Sequence, residues 1–459
     1  MLITLHVHFK GSFCAISSDV LSELFEIGKK WQLERLADEG NQDEVPFELL
    51  VSQICSHTRR VALSTPRIWT WIDIHPSTVC ERIMAYIARS ASAWLDIRIN
   101  MTQNLSPADE KALVVVLDII CPQAHRWRRL SVFRLFERKE NAVVRRICKC
   151  NSPGLQYLSL VVEDIDNGNI NALVSHVRTP TGVFRSTAHL RFVRLGGLTL
   201  HFFRPRMDSV VILHLDETKH IPWKYNNFRE TLLNAPSLLH LSIYGDIVAP
   251  RSWPQRQNDI TMPFLLSLRI CGVSGEVYSN ILLIIDAPVL ESLILKRLQE
   301  HDLDALGELV DVTRFINLRN LTFWDFDVSV YTYERIMQVF QNITSFSTFH
   351  STLPNSRLVE LLLDKSEIKR GHELPPWPTL KTLSFPLNSD DNEMDLAQAL
   401  INSRKTNGCP VPTILLCASA DEEVVVESEV QGVKEVYSSR LAIWPPDFMS
   451  HVQDDIFLH

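Results

Sequence analysis

A chain of 459 residues is longer than one hydrophobic core organises, so it must form two or three domains or an array of repeats. Hydrophobic residues make up 46% and charged residues 22%, which excludes wholesale disorder. The net charge of −8 argues against general affinity for nucleic acid or an anionic membrane, because phosphate binding needs a basic field.

The opening residues 1–10 are too short and too interrupted by His6, His8 and Lys10 for a secretion signal. No run approaches the ~18 apolar residues of a membrane span. Nine cysteines, odd in number and without a Cys-x-x-Cys pair, predict unpaired thiols in a reducing compartment, cytoplasm or nucleus. Cys148 and Cys150 are the only close couple, and no neighbouring His or Cys completes a metal set, so neither metal nor cofactor is expected.

In chain order, residues 1–18 form a divergent lead segment. Residues 19–27 read as a short amphipathic helix, with Ser18 or Asp19 as cap and Gly28 just past the end. Its apolar stripe is Val20, Leu21, Leu24 and Phe25. A second helix starts at Pro46 and carries Leu49, Leu50 and Ile54, and a third short piece covers residues 59–63 before Pro66. Residues 29–45 form an insertion. This module, 19–70, buries too little surface to stand alone, and is expected to lean on the first repeat through Ile68, Trp69 and Trp71.

From residue 71 to 417 a pattern Leu-x-x-Leu-x-Leu recurs. Well-formed copies include Leu155/Leu158/Leu160, Leu238/Leu241/Ile243, Leu265/Leu268/Ile270, Leu290/Leu293/Leu295 and Leu318/Leu321/Phe323. Weaker ones fall at Leu95/Ile97, Phe346/Thr348 and Ile414/Leu416. The period is about 29 residues, at the long end for leucine-rich repeats. In a short strand the two leucines of Leu-x-Leu share one side, and stacked copies bury it in a continuous core. Pro153, Pro236, Pro263, Pro288 and Pro378 each stand two residues before the first Leu of a copy, where proline ends a helix and forces an extended approach. Residues 78–90 and 106–120 have helical periodicity, with Val79, Ile83, Tyr86 and Ile87 on one face of the first and Leu113, Val116, Leu117 and Ile120 on one face of the second. The fold class expected is α/β: a helical front module, then an irregular right-handed leucine-rich-repeat solenoid with its parallel sheet on the concave face. Residues 418–459 would cap and end it, with a charge-blunted edge strand over 421–429.

Residues between and after the ridge leucines point away from the core. Among them, Arg194, His214, Asp216, Tyr244, Arg269, Lys296 and Trp324 are the candidate contacts for a protein target on the concave face. His214, Asp216 and Ser242 could meet across strands, but without oxyanion donors or a lid they do not make a hydrolase site, and no catalytic residue is assigned. No phosphate loop or His-Glu-x-x-His is present in the sequence. The chain reads as a binding protein, not an enzyme.

The front module resembles the F-box-like domain that precedes leucine-rich repeats in many basidiomycete proteins. Val20-Leu-Ser-Glu-Leu-Phe25, Val51-Ser-Gln-Ile-Cys55 and Val61-Ala-Leu-Ser-Thr-Pro-Arg-Ile-Trp69 carry the likeness. The resemblance implies that Val20, Leu21, Leu24, Phe25, Leu50 and Ile54 dock a Skp-type adaptor and, through it, a cullin, while the repeats hold an unknown protein substrate for ubiquitination. Two departures leave a second reading open, a repeat scaffold with a degenerate F-box and no ligase association. Ile16-Ser-Ser18 stands where the family has Leu-Pro, and Cys55-Ser-His-Thr-Arg59 where it has Cys-x-x-Trp-Arg.

Overall fold

The computed structural model describes residues 16–39, 45–75, 78–100, 107–137, 146–147, 149–164, 187–197, 199–203, 205–216, 222–254, 259–272, 276–300, 302–303, 312–326, 328, 330–351, 355–363, 376–386, 392–418 and 433–437. The fold is α/β, with front helices followed by short repeating strand–helix units whose strands pair in parallel. The chain divides into two compact units, the first formed mainly by residues 1–190 and the second mainly by 207–448.

The first unit opens with α1 (Ser18–Glu39), α2 (Phe47–Ile54) and α3 (Ser56–Leu63), then a 3-10 turn over Pro66–Trp69. It continues through β1 (Trp71–Ile74), α4 (Cys80–Arg89), β2 (Leu95–Asn100), α5 (Pro107–Ile120), β3 (Trp127–Glu137) and β4 (Tyr157–Asp164). The four strands pair in that order, all parallel.

Helix α1 does not stop at Ile27. Gly28 sits inside it, and the reason is tertiary: a Cβ there would fall 2.4 Å from Phe47 Cζ, so only glycine lets the Phe47 ring lie against the helix. The extension into residues 29–45 is therefore helical as far as Glu39, and Lys29 and Gln32 fasten it. Gln32 Nε2 donates to the Val45 carbonyl at 3.0 Å, and its Oε1 accepts the Phe47 N–H at 2.8 Å. The third helix starts earlier than residue 59, because Cys55 caps it. The Cys55 sulfur accepts the Thr58 N–H, and Thr58 Oγ1 accepts the Cys55 N–H, a capping box closed by a thiol.

The module leans on the first repeat as expected. Ile68 and Trp69 are fully buried, Trp69 Nε1 donates to the Ala62 carbonyl at 2.8 Å, and its ring meets Tyr86 of α4 edge-on. Arg89 of α4 lies over the Trp69 ring at 4.3 Å. Leu113, Val116, Leu117 and Ile120 are buried, as expected of the face assigned to α5; on α4 Ile83 and Tyr86 are buried, but Ile87 is half-buried and Val79, which precedes the helix, is exposed.

In the second unit the sheet order is β5 (Phe192–Gly197), β6 (Ile212–Asp216), β7 (His240–Tyr244), β9 (Ser267–Cys271), β11 (Ser292–Lys296), β12 (Asn320–Phe326), β13 (Ser345–Ser351), β14 (Thr382–Pro386), β15 (Thr413–Ala418) and β16 (Val433–Tyr437). Two short strands, β8 (Ile260–Thr261) and β10 (Ile285–Asp286), pair apart from it. Helices α6 (Tyr225–Leu233), α7 (Glu276–Ile284), α8 (Val330–Val339), α9 (Asn355–Leu363) and α10 (Asn392–Thr406) connect the strands. The weak copies at Phe346 and Ile414 are genuine strands, β13 and β15. The edge strand expected over 421–429 lies outside the described residues.

Ridge pairing is strict. Val193, Leu213, Leu241, Leu268, Leu293, Leu321, Phe346, Leu383 and Ile414 stand opposite one another from strand to strand, all buried. Several repeats enter their strands through a turn in which the first ridge residue's N–H returns to the carbonyl three residues before. Examples are Leu238 to Ala235, Leu265 to Met262, Leu290 to Ala287 and Leu380 to Trp377. The periodic prolines occupy the second position of these turns, where a fixed φ near −65° is already correct. A β-turn, rather than the end of a helix, explains their spacing.

Candidate functional site

The structure separates two surfaces. The first belongs to the helical module. Along α1 the residues Val20, Leu24, Ile27 and Trp31 recur every three or four positions, the spacing of one helix face, and all four are exposed. Trp31 is 64% exposed. Leu50 and Ile54 form a second exposed pair one turn apart on α2. Leu21 and Phe25 point the other way. They are buried, Phe25 against the Phe47 ring, and so hold the module together rather than face outward. The amphipathic stripe read from the sequence thus splits into two faces of one helix. Ile27 and Trp31 lay past the expected helix end; carrying the three-and-four spacing beyond Gly28 would have found them.

Behind this surface is a buried polar cluster. Glu48 is nearly inaccessible, and its carboxylate accepts Lys29 Nζ at 2.7 Å on one oxygen and the Tyr86 hydroxyl at 2.6 Å on the other. Burial, and next the Glu48 charge, hold the Tyr86 hydroxyl well above the ordinary tyrosine range. The cluster ties α1, α2 and α4 into one body, so the exposed face of α1 rests on a fixed support.

The second surface is the sheet face opposite the leucine ridge. In the second unit the central row runs Arg194, His214, Ser242, Arg269, Ile294, Thr322, Ser347 and Ser384, each in register with the next. A second row, one pleat further along, runs Asp216, Tyr244, Cys271, Lys296, Trp324 and Phe349. Arg194, His214, Asp216, Arg269 and Lys296 are buried, Arg269 to 2% and Lys296 to 3%. Strands only about 4.8 Å apart let long side chains lie over one another, so this row is packed rather than bathed in water. Arg194 Nε donates to Asp216 Oδ2 at 2.6 Å, and the His214 ring lies 5.1 Å from Phe192. The Asp216 carboxylate thus serves Arg194, and His214 stands opposite Ser242 in the ladder.

Access improves at the strand ends. Tyr244 and Trp324 are half-buried, and Arg297 and Asp325 are exposed. Arg297 donates to the Tyr244 hydroxyl at 3.3 Å and lies 3.7 Å from the Asp325 carboxylate. Trp324 stacks on Phe349 at 4.9 Å, with Lys296 Nζ 5.6 Å from its ring centre. Arg297 and Asp325 adopt positive φ, 61° and 51°, at the position where Gly197 and Gly245 have 62° and 81°. These residues lie at or next to the C-terminal ends of their strands, and the N–H groups of Gly245 and Arg297 reach carbonyls of the neighbouring strands, Cys271 and Trp324 respectively. Arg297 carries no sequence signal for this conformation, which usually selects glycine, whereas aspartate, as at Asp325, is among the side chains that tolerate it.

No protein-family model matches this chain, and no curated protein matches it either.

Among the described residues no helix is long and apolar enough to cross a membrane, and no three His, Cys, Asp or Glu side chains are grouped to hold a metal ion. In the first unit the face opposite the ridge carries Asp73, Arg98, Ser131 and Ser159 in register, with His75 Nε2 3.1 Å from Asp73.

Proposed function

We propose that this chain is a substrate-recognition subunit of a Skp–cullin–F-box ubiquitin ligase, with α1 and α2 docking the Skp-type adaptor and the repeats holding a protein target. The observation that carries this reading is the row Val20, Leu24, Ile27 and Trp31, apolar and exposed on a helix whose opposite face is locked down. Exposed apolar rows on a rigid support mark protein interfaces, because burying them on a partner recovers the hydrophobic free energy that folding leaves unused. The chain would supply no chemistry of its own. Its contribution is proximity, holding a target's lysines near the ligase's conjugating enzyme in the cytoplasm or nucleus. Within the repeats, the half-buried Tyr244 and Trp324, with Arg297 beside them, form the accessible anchor; aromatic and arginine side chains are the favoured centres of interfaces.

A second reading rests on Thr58. It occupies the place of the tryptophan in the family's Cys-x-x-Trp-Arg pattern, and it is fully buried, its hydroxyl used in the Cys55 capping box. A module repacked in this way could serve the repeats as a structural cap, leaving a recognition scaffold without a ligase. Co-expression of the full chain with its host's Skp-type adaptor, followed by gel filtration, separates the two. Co-elution that is lost in Leu24→Asp supports the ligase reading. Separate elution of two folded proteins favours the scaffold.

A further inference from the structure

Cys121 and Cys150 lie outside both surfaces. Cys121 opens the 3-10 segment Cys121–Arg126 that leads into β3, and Cys150 stands in the approach to β4. Those strands pair with Arg129 opposite Tyr157. Counted back from these partners, Cys121 is eight positions upstream and Cys150 seven. Both segments therefore approach neighbouring strands of successive turns. The local contacts agree: Cys150 Sγ is 4.0 Å from the Cys121 carbonyl oxygen and 3.5 Å from the Arg146 carbonyl oxygen. Asp118 on α5 and Arg146, 3.0 Å apart, clamp the two segments together just upstream. The sequence couples Cys150 with Cys148; the fold gives it a partner one whole repeat away.

Both thiols are partly exposed, unlike Cys271. The hydrogen bond from Cys150 holds the Cys121 thiol below the usual range, whereas burial pushes Cys271 up to about 11. Cys121 is therefore equipped to react as a thiolate, with a second thiol already in place to resolve the product.

We propose that Cys121 and Cys150 form a redox-active pair that closes into a disulfide between two consecutive repeats. A low-molecular-weight disulfide such as oxidised glutathione is the oxidant. The Cys121 thiolate attacks one of its sulfurs, the S–S bond breaks, a mixed disulfide forms and one glutathione thiolate leaves. The Cys150 thiolate then attacks the Cys121 sulfur and expels the second glutathione. Two protein thiols are oxidised, and one small disulfide is reduced to two thiols. The link ties together turns of the stack otherwise joined by strand hydrogen bonds and the Asp118–Arg146 pair, and so restrains their independent opening.

The test is to incubate the full-length chain in glutathione buffers of graded oxidation, quench with acid, alkylate and map the peptides by mass spectrometry. A Cys121–Cys150 linked peptide should appear before any adduct on Cys271 and disappear on return to reduced glutathione. Cys150→Ser should accumulate the mixed disulfide on Cys121 several-fold above the wild-type level. Separate glutathione adducts on the two wild-type cysteines with no linked peptide would overturn the proposal. So would a dominant link from either one to a different cysteine.

Discussion

The Tyr86 hydroxyl donates to Glu48 across 2.6 Å, and with that bond a helix of the first repeat holds the second helix of the front module. Glu48 is buried and already paired with Lys29, so the cluster is satisfied only as a whole. Tyr86→Phe should cost about 1–3 kcal/mol by leaving one carboxylate oxygen short of a donor. Glu48→Ala, which strands a buried ammonium, should cost about 3–5 kcal/mol. Urea unfolding midpoints followed by circular dichroism measure both, and equal stability in all three proteins would contradict this account of the cluster.

Alkaline pH offers an independent check. Folding raises the Tyr86 hydroxyl above its ordinary value of 10.0, so the folded state keeps a proton that the unfolded state releases. Its contribution is complete below about pH 10 and is lost as pH rises beyond that. Wild type should therefore lose stability more steeply above pH 10 than Tyr86→Phe. Parallel curves would remove Tyr86 from the explanation.

Leu21 and Leu24 lie three residues apart on α1 and should behave in opposite ways. Leu21 is buried, and Leu21→Asp places a charge in the module core, so the module should unfold or lose several kcal/mol. Leu24→Asp touches mainly solvent and should shift stability by no more than about 0.5 kcal/mol. Thermal melts distinguish them before any partner is added.

Gly28 sets two effects against each other. Alanine gains about 1 kcal/mol of helix propensity over glycine, but its Cβ would lie 2.4 Å from the Phe47 ring, an overpacking that costs about 1–3 kcal/mol. The clash should win, making Gly28→Ala less stable than wild type. In a Phe47→Leu background the ring is gone and the same change should stabilise. A sign that does not reverse between backgrounds would exclude ring packing as the reason for glycine.

Arg194 and Asp216 form a buried ion pair at 2.6 Å. Asp216→Leu should cost about 3 kcal/mol, and adding Arg194→Met to it should restore most of that, since desolvation offsets much of what such a pair gains. A double-mutant cycle in urea provides the coupling energy; a value near zero would show that the pair does not act as a unit.

The amino-acid order by itself determined the repeat and its strands. Those features rest on local rules: a two-residue alternation for strands and a three-and-four spacing for helices. Even the weak copies at Phe346 and Ile414 followed them. Tertiary packing alone decided the rest. Gly28 reads as a helix end until the Phe47 ring is seen against it. Leu21 and Leu24 belong to one stripe in the sequence, and only the positions of Phe47 and the neighbouring helices send one inward and leave the other out. Arg269 and Lys296 look like solvated outer-face residues, yet the close spacing of parallel strands buries them. The sequence separates Cys121 from Cys150 by a full repeat, and it is the stacking of successive turns that brings the Cys150 thiol to the Cys121 carbonyl.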